Sequence, residues 1–398
     1  MSVPKLRFKE FIDEWKKVEL DKLYEFKNGL NGDRSLYGKG VELINVSDIL
    51  NNTCITSKVI NGKININEDT LRKNSVEYGD ILFQRSSETF LEIGTSNVYL
   101  DNKLVTFSGF VIRGKRKKDN INNPLFINYE LKSPALRKKI IICGSGAQHF
   151  NIGQEDLKRI TIFLPSIKEQ KKIADMLELL DKKIELQTKR IEVLKLFKKG
   201  LLNFFFENKK TNGTIENCIL YGKAGGTPAS NIKDYYNGNI PFLSISDMTS
   251  QRKYILKTEK SISQQGIRDS SAWIVPKNSI ILSMYASYGL IAINKIELAT
   301  SQAMFSMIVN SKNNIEYIYY YLEFLYNNNY YDRLVSIGTQ ANLNADKVKK
   351  IKIYLLDINS QNKISKILKL CDERIEYENK IEFELSKFKQ GLMQNMFV

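Results

Sequence analysis

The chain has 398 residues, 42% apolar and 26% charged, enough for two cored domains in a soluble globular protein. Its four cysteines, Cys54, Cys143, Cys218 and Cys371, lie far apart, excluding a CxxC metal pair and a dense disulfide framework. A net charge of +16, with basic clusters such as Lys115 to Lys118 and Lys347 to Lys350, points instead to a polyanion such as duplex DNA.

The N-terminus, MSVPKLRFKEFIDEW, has no hydrophobic signal core, and no uncharged apolar run reaches 18 residues, so a cytoplasmic location is expected. Residues 1–164 read as a mixed α/β domain. Short β-like runs occur at Val41 to Val46, Asp80 to Phe83, Asn97 to Leu100 and Gly109 to Arg113, bounded by Gly, Asn and Asp. A helical pattern begins near Pro124 and is divided by Pro134. The polar loop GSGAQHFN and the strand KRITIFLP follow.

Residues 165–208 form the first long amphipathic segment. Apolar side chains fall at Ile173, Leu177, Leu180, Ile184, Ile191, Leu194 and Leu201, the alternating three-and-four spacing of a coiled-coil seam. A helix over Ile167 to Phe205 is about 58 Å long at 1.5 Å per residue and cannot bury that stripe alone. Gln187 and Lys198 interrupt the seam.

After the polar break KKTNG the plan repeats as a second mixed domain over 209–355 and a C-terminal helix over 356–398. Ile245 to Asp247 echoes Val46 to Asp48, and Gly338, Gln340 and Asn342 line up with Gly146, Gln148 and Asn151. At a constant offset of 191, Ile160 to Phe206 matches Ile351 to Phe397 at 19 of 47 positions without a gap. The second seam keeps Ile364, Leu368, Ile375, Leu385 and Leu392, with Glu378 and Glu382 interrupting it. The fold expected is therefore α+β (mixed α/β): two similar domains and two long helices pairing as an antiparallel coiled coil, pseudo-twofold. Gln187 with Glu378, and Lys198 with Lys389, stand at equivalent places and would fix the register.

Catalytic signatures are missing. His149 is the only histidine, so no multi-histidine metal site can form, and Gly32 to Gly40 reads as a turn, not a phosphate loop. No NPPY- or DPPY-like tetrapeptide of an amino-methyltransferase occurs. The chain is expected to be no enzyme by itself, with no metal or cofactor of its own. Gln84, Arg85, Ser86 and Ser87 follow one buried-looking strand, and Tyr285, Ser287 and Tyr288 follow its counterpart. Polar groups at strand ends can reach base edges, and arginine can pair bidentately with guanine. Lys115, Arg116 and Thr227 complete the candidate DNA-binding set.

In this order, several strings resemble the specificity subunits of type I restriction-modification systems over essentially the whole chain. They are PKLRF at Pro4, EFKNGL at Glu25, YGKG at Tyr37, INVSDI at Ile44, GDILFQRSS at Gly79 and PSIKEQKKIA at Pro165. GGTP at Gly225, YYNGNIPFLSISDM at Tyr235 and GTQANLN at Gly338 continue the series. The second long helix departs by having Leu356 where the first has Pro165 and no counterpart of Glu169, and the first domain has no GGTP.

The resemblance implies two target-recognition domains, each reading one half of a split, asymmetric site on double-stranded DNA. The helix pair would set the spacing and dock two modification subunits that methylate adenine, and two restriction subunits could join. S-adenosylmethionine, ATP and magnesium would then belong to those partners. The other readings of the residues are a stand-alone two-domain DNA-binding regulator and, behind it, a methyltransferase or nuclease with cryptic motifs.

Overall fold

The computed structural model describes residues 3–117, 122–146, 149–285, 287–334 and 343–398. The repeat residues Gln148, Gly338, Gln340 and Asn342 lie outside them. The chain forms two compact units, Met1–Thr188 with Lys380–Val398, and Lys189–Asn379. Each unit thus contains one mixed domain, part of the helix that leaves it and part of the other long helix.

In the first unit a four-stranded antiparallel sheet runs in the order Tyr24–Asn28, Val111–Arg116, Ile81–Gln84, Ser96–Val98. A second sheet places Tyr37–Ile44 between Gly62–Ile64 and Thr106–Phe107, the last pairing being parallel. Ile81–Gln84 is buried along its whole length, as expected of a central strand covered on both faces. The run Val41 to Val46 divides: the strand ends at Ile44 and Val46–Leu50 turns helical. The cause is local, since the Asp48 carboxylate accepts from the Asn45 N–H at 2.8 Å and stops the extended backbone. Pro124–Lys132 and Pro134–Ile142 each begin with proline after an Asn or Ser cap.

The second unit repeats this plan. Its larger sheet runs Ile219–Ala224, Met304–Val309, Ile280–Ser283, Ile291–Asn294, Tyr254–Ile255. Its smaller sheet runs Lys260–Ile262, Tyr236–Leu243, Leu298–Thr300, Ile274–Val275. Ser244 and Asp247 cap Ile245–Gln251 as Asn45 and Asp48 cap their helix. The tyrosine-rich helix Ile315–Asn327 stands where Pro124–Lys132 stands in the first unit.

The long helices span Ile167–Phe206, 40 residues, and Ile358–Asn395, 38 residues. In the first unit Ile173, Ala174 and Leu177 share one core with Leu392, Met393 and Met396 and with the domain's Tyr24, Ile81 and Phe126. In the second, Leu202, Phe206 and Leu368 share a core with Ile280, Tyr317 and Leu322. Each domain therefore packs on both helices, and that shared burial stabilises helices far longer than those typical of globular proteins. Among the described residues, no helix is long and apolar enough to cross a membrane.

Candidate nucleic-acid interface

The end of the central strand is built the same way in both units. In the first, Gln84 closes the strand, and its side-chain amide donates to the Ser86 carbonyl at 3.0 Å. In the second, the Ser283 hydroxyl donates to the Tyr285 carbonyl at 2.8 Å. The next residue is held by its backbone from two sides. Arg85 N–H donates to Phe110 O at 2.9 Å while Arg85 O accepts from Ile152 N–H at 3.1 Å; Met284 does the same with Ala303 O at 2.7 Å and Leu343 N–H at 3.0 Å. Arg85 is thus the structural counterpart of Met284, and Ser86 of Tyr285.

A glycine fixes the neighbouring turn in each unit. A Cβ on Gly29 would stand 2.1 Å from the Ser108 carbonyl, and one on Gly225 2.1 Å from that of Thr300, so neither position accepts a side chain. The turns at Gly109–Phe110 and Gln302–Ala303 are thereby pinned beside the strand ends.

The sequence candidates divide on this scaffold. Gln84 and Ser87 are buried, and Ser87 accepts from the Thr89 N–H at 3.1 Å, so both shape the turn from inside. Arg85 is half-buried, donating to Gly109 O at 3.4 Å, and Ser86 bonds Asn151. Lys115 and Arg116 are at the far end of Val111–Arg116, because Val111 pairs with Gln84 and Gly114 with Ile81. There Lys115 meets Glu77 at 2.8 Å, and Arg116 clasps Asn122 through Nη2 to its carbonyl at 2.6 Å. They are not brought together with Arg85. In the second unit Thr227 bonds Gln302, beside the Met284 turn, and Tyr288 donates to Asp332 at 2.9 Å. Tyr285 and Ser287 are exposed, Ser287 with φ +37.

Sequence reasoning missed the apolar rim of the first site. Phe110 is 66% and Leu91 75% exposed, and Phe90 meets Phe150 edge-to-face with centroids 5.1 Å apart. Phe110 lies in a β-like run, and only the tertiary turn turns it outward. Gln302, structurally level with Gly109, has no counterpart that a gapless comparison could find. Exposed apolar groups beside an arginine and amide side chains suit a groove with both methyl groups and hydrogen-bonding edges.

The helices meet through polar contacts as well as the seam. All twelve predicted seam residues are buried or half-buried. In the first unit Asp181 meets Lys389 and Thr188 meets Glu382; in the second Arg190 meets Glu378 at 3.2 Å and Lys198 meets Asp372 at 2.6 Å. Partner numbers fall on one helix as they rise on the other, so the paired segments are antiparallel. A tyrosine from each domain closes the contact: Tyr129 donates to Asp181 and Tyr320 to Asp372, both at 2.7 Å. Burial alone would raise Asp372, but Lys198 and Lys253 outweigh it and hold this carboxyl below its ordinary value. Gln170 and Gln361 repeat the same logic, accepting from the capping N–H of Asn123 and Asn314 at 2.7 and 2.8 Å. Glu378, fully buried on the seam, also meets Arg374 at 2.5 Å.

Exposed apolar side chains recur at equivalent places on the outer helix faces. Leu179, Leu186 and Phe388 belong to the first unit, and Leu370, Tyr377 and Phe197 to the second. Among the described residues no group of His, Cys, Asp and Glu could hold a metal ion.

Known proteins share this plan. The type I restriction modification DNA specificity domain matches twice, over residues 12–196 and 213–387. The MjaIX specificity subunit of Methanocaldococcus jannaschii is 29% identical over 175 residues, 44% of this chain and 40% of that subunit's length. The putative MjaX specificity subunit of the same organism is 25% identical over 96% of this chain and 93% of its own. The S subunit from M. genitalium has the same fold, with a TM-score of 0.59 at 17% identity, covering 100% of this chain and 99% of its own. A second solved structure, of type I complex assembly, gives 0.62 at 14% identity over 96% and 97%. Two specificity domains, each built on two long helices by the same hydrogen bonds, place this chain in the type I restriction-modification specificity-subunit family.

Proposed function

We propose that each unit reads one part of a split, asymmetric DNA sequence through the loops at the end of its central strand, and that the chain recruits two modification subunits to methylate an adenine in each part. The observation that carries this reading is the common scaffold with different side chains. Arg85, half-buried, stands in one unit where the other has the core residue Met284, and Ser86 stands where the other exposes Tyr285, so equivalent turns offer unlike side chains to DNA. The repeated exposed positions Leu179/Leu370, Leu186/Tyr377 and Phe197/Phe388 offer two similar faces to two identical partners. Methyl transfer, with S-adenosylmethionine, belongs to those partners, and restriction subunits carrying ATP and magnesium could join the assembly. The unpaired base must enter a pocket with its own catalytic groups. The test is methyl transfer from labelled S-adenosylmethionine to DNA. The chain with its modification subunits transfers label and the chain alone does not; transfer by the isolated chain contradicts the reading.

A further inference from the structure

The two Tyr–Asp–Lys contacts are equivalent in position but not in charge. In the second unit Lys198 reaches Glu323 at 2.7 Å and Asp372 at 2.6 Å, and Lys253 reaches Glu316 at 2.6 Å and Asp372 at 3.1 Å. Two ammonium groups there face three carboxylates. At offset 191, the counterpart of Glu323 is Lys132. The first unit therefore sets Lys132 and Lys389 beside a single carboxylate, Asp181, and among the described residues no carboxylate pairs with Lys132.

Lys132 Nζ donates to Thr53 O at 2.8 Å and Asn97 Oδ1 at 3.2 Å, which leaves one of its three donors unused. Beside it is an open cleft of about 280 Å³, whose wall includes Asn52, Thr53, Tyr129, Lys132, Asp181 and Lys389. Two half-buried ammonium groups sharing one carboxylate leave an excess positive charge, and an anion entering the cleft would offset it.

We infer that this cleft binds a tetrahedral oxyanion, a phosphate group, held between the ammonium groups of Lys132 and Lys389 and sharing Lys389 with Asp181. Asn52 and Thr53 line the same wall, the Asn52 amide already donating to Asp48 O at 2.9 Å. Burial first, and then the neighbouring Lys389, pull the Lys132 ammonium down to about 8, with Asp181 and Cys54 opposing. Glu178, nearby on the first long helix, is paired with Lys182 at 2.8 Å. The bound anion favours the charged lysine, so affinity falls as pH rises through that value.

Calorimetric titration of the full chain with sulfate at fixed ionic strength tests this, since sulfate keeps its charge from pH 7 to 9. One saturable site is expected, weakened about tenfold by Lys132→Gln and abolished by Lys132→Glu, which installs the acid found in the second unit. Glu323→Gln leaves it unchanged, and affinity drops between pH 7 and 9. Non-saturating heat, or native affinity in folded Lys132→Gln, overturns the inference. Inorganic phosphate titrated in the presence of duplex DNA then separates the sources. Displacement by the duplex assigns the site to a backbone phosphate, and simultaneous binding assigns it to free phosphate.

Discussion

Glu130 shows how one side chain records the balance of burial and bonding. It is fully inside the first unit, with the Phe163 N–H donating to Oε1 at 2.6 Å and Oε2 without a partner among the described residues. Burial raises its carboxyl to about 8, against the smaller opposing effects of that hydrogen bond and Lys139. Between the unfolded value near 4.5 and about 8, the folded chain holds a proton that the unfolded chain has released. Stability therefore falls as pH rises across that window and is flat beyond it. Glu130→Gln keeps the acceptor and removes the titration. Thermal unfolding should show the variant level with the native chain at pH 4 and more stable by about 4 kcal/mol at pH 8. Equal stability at pH 8 would mean that the carboxyl ionises freely in the fold. None of this was legible in the sequence, where Glu130 is one acid in an amphipathic run. The same holds for Gln84, whose polarity suggested an exposed contact and whose amide is used inside the turn.

At the scale of elements, the long helices were the most legible part of the chain. Their seam residues recur in coiled-coil spacing, and the gapless offset of 191 carries Asp181 onto Asp372 and Gln170 onto Gln361. The domain side of those contacts was not legible, because Tyr129 and Tyr320 are joined to them only by tertiary folding. Nor was the exchange of partners: Lys198 and Lys389 align with each other, yet each pairs with the aspartate of the opposite helix. Lys389→Asp puts two carboxylates together in a site where Asp181 is 11% and Lys389 25% exposed, and should cost about 3 kcal/mol. The exchange Asp181→Lys with Lys389→Asp should recover at least half of that loss in chemical denaturation. Equal destabilisation by the single and double variants would show that the pair does not hold the helices in register.

On the scale of the molecule, duplication was visible because both copies repeat their helix and cap signals in one order. What each copy binds was not, since the Arg85 and Met284 positions become equivalent only through backbone hydrogen bonds between distant segments. One scaffold carrying two different surfaces leads to the central claim, a bipartite and asymmetric DNA sequence. Single-molecule mapping of methylated adenines, on DNA exposed to this chain with its modification subunits, tests it most directly. The expected result is one adenine methylated in each of two unlike half-sites, separated by a constant spacer. Methylation confined to a contiguous or palindromic sequence, or a spacer that varies from site to site, would contradict it.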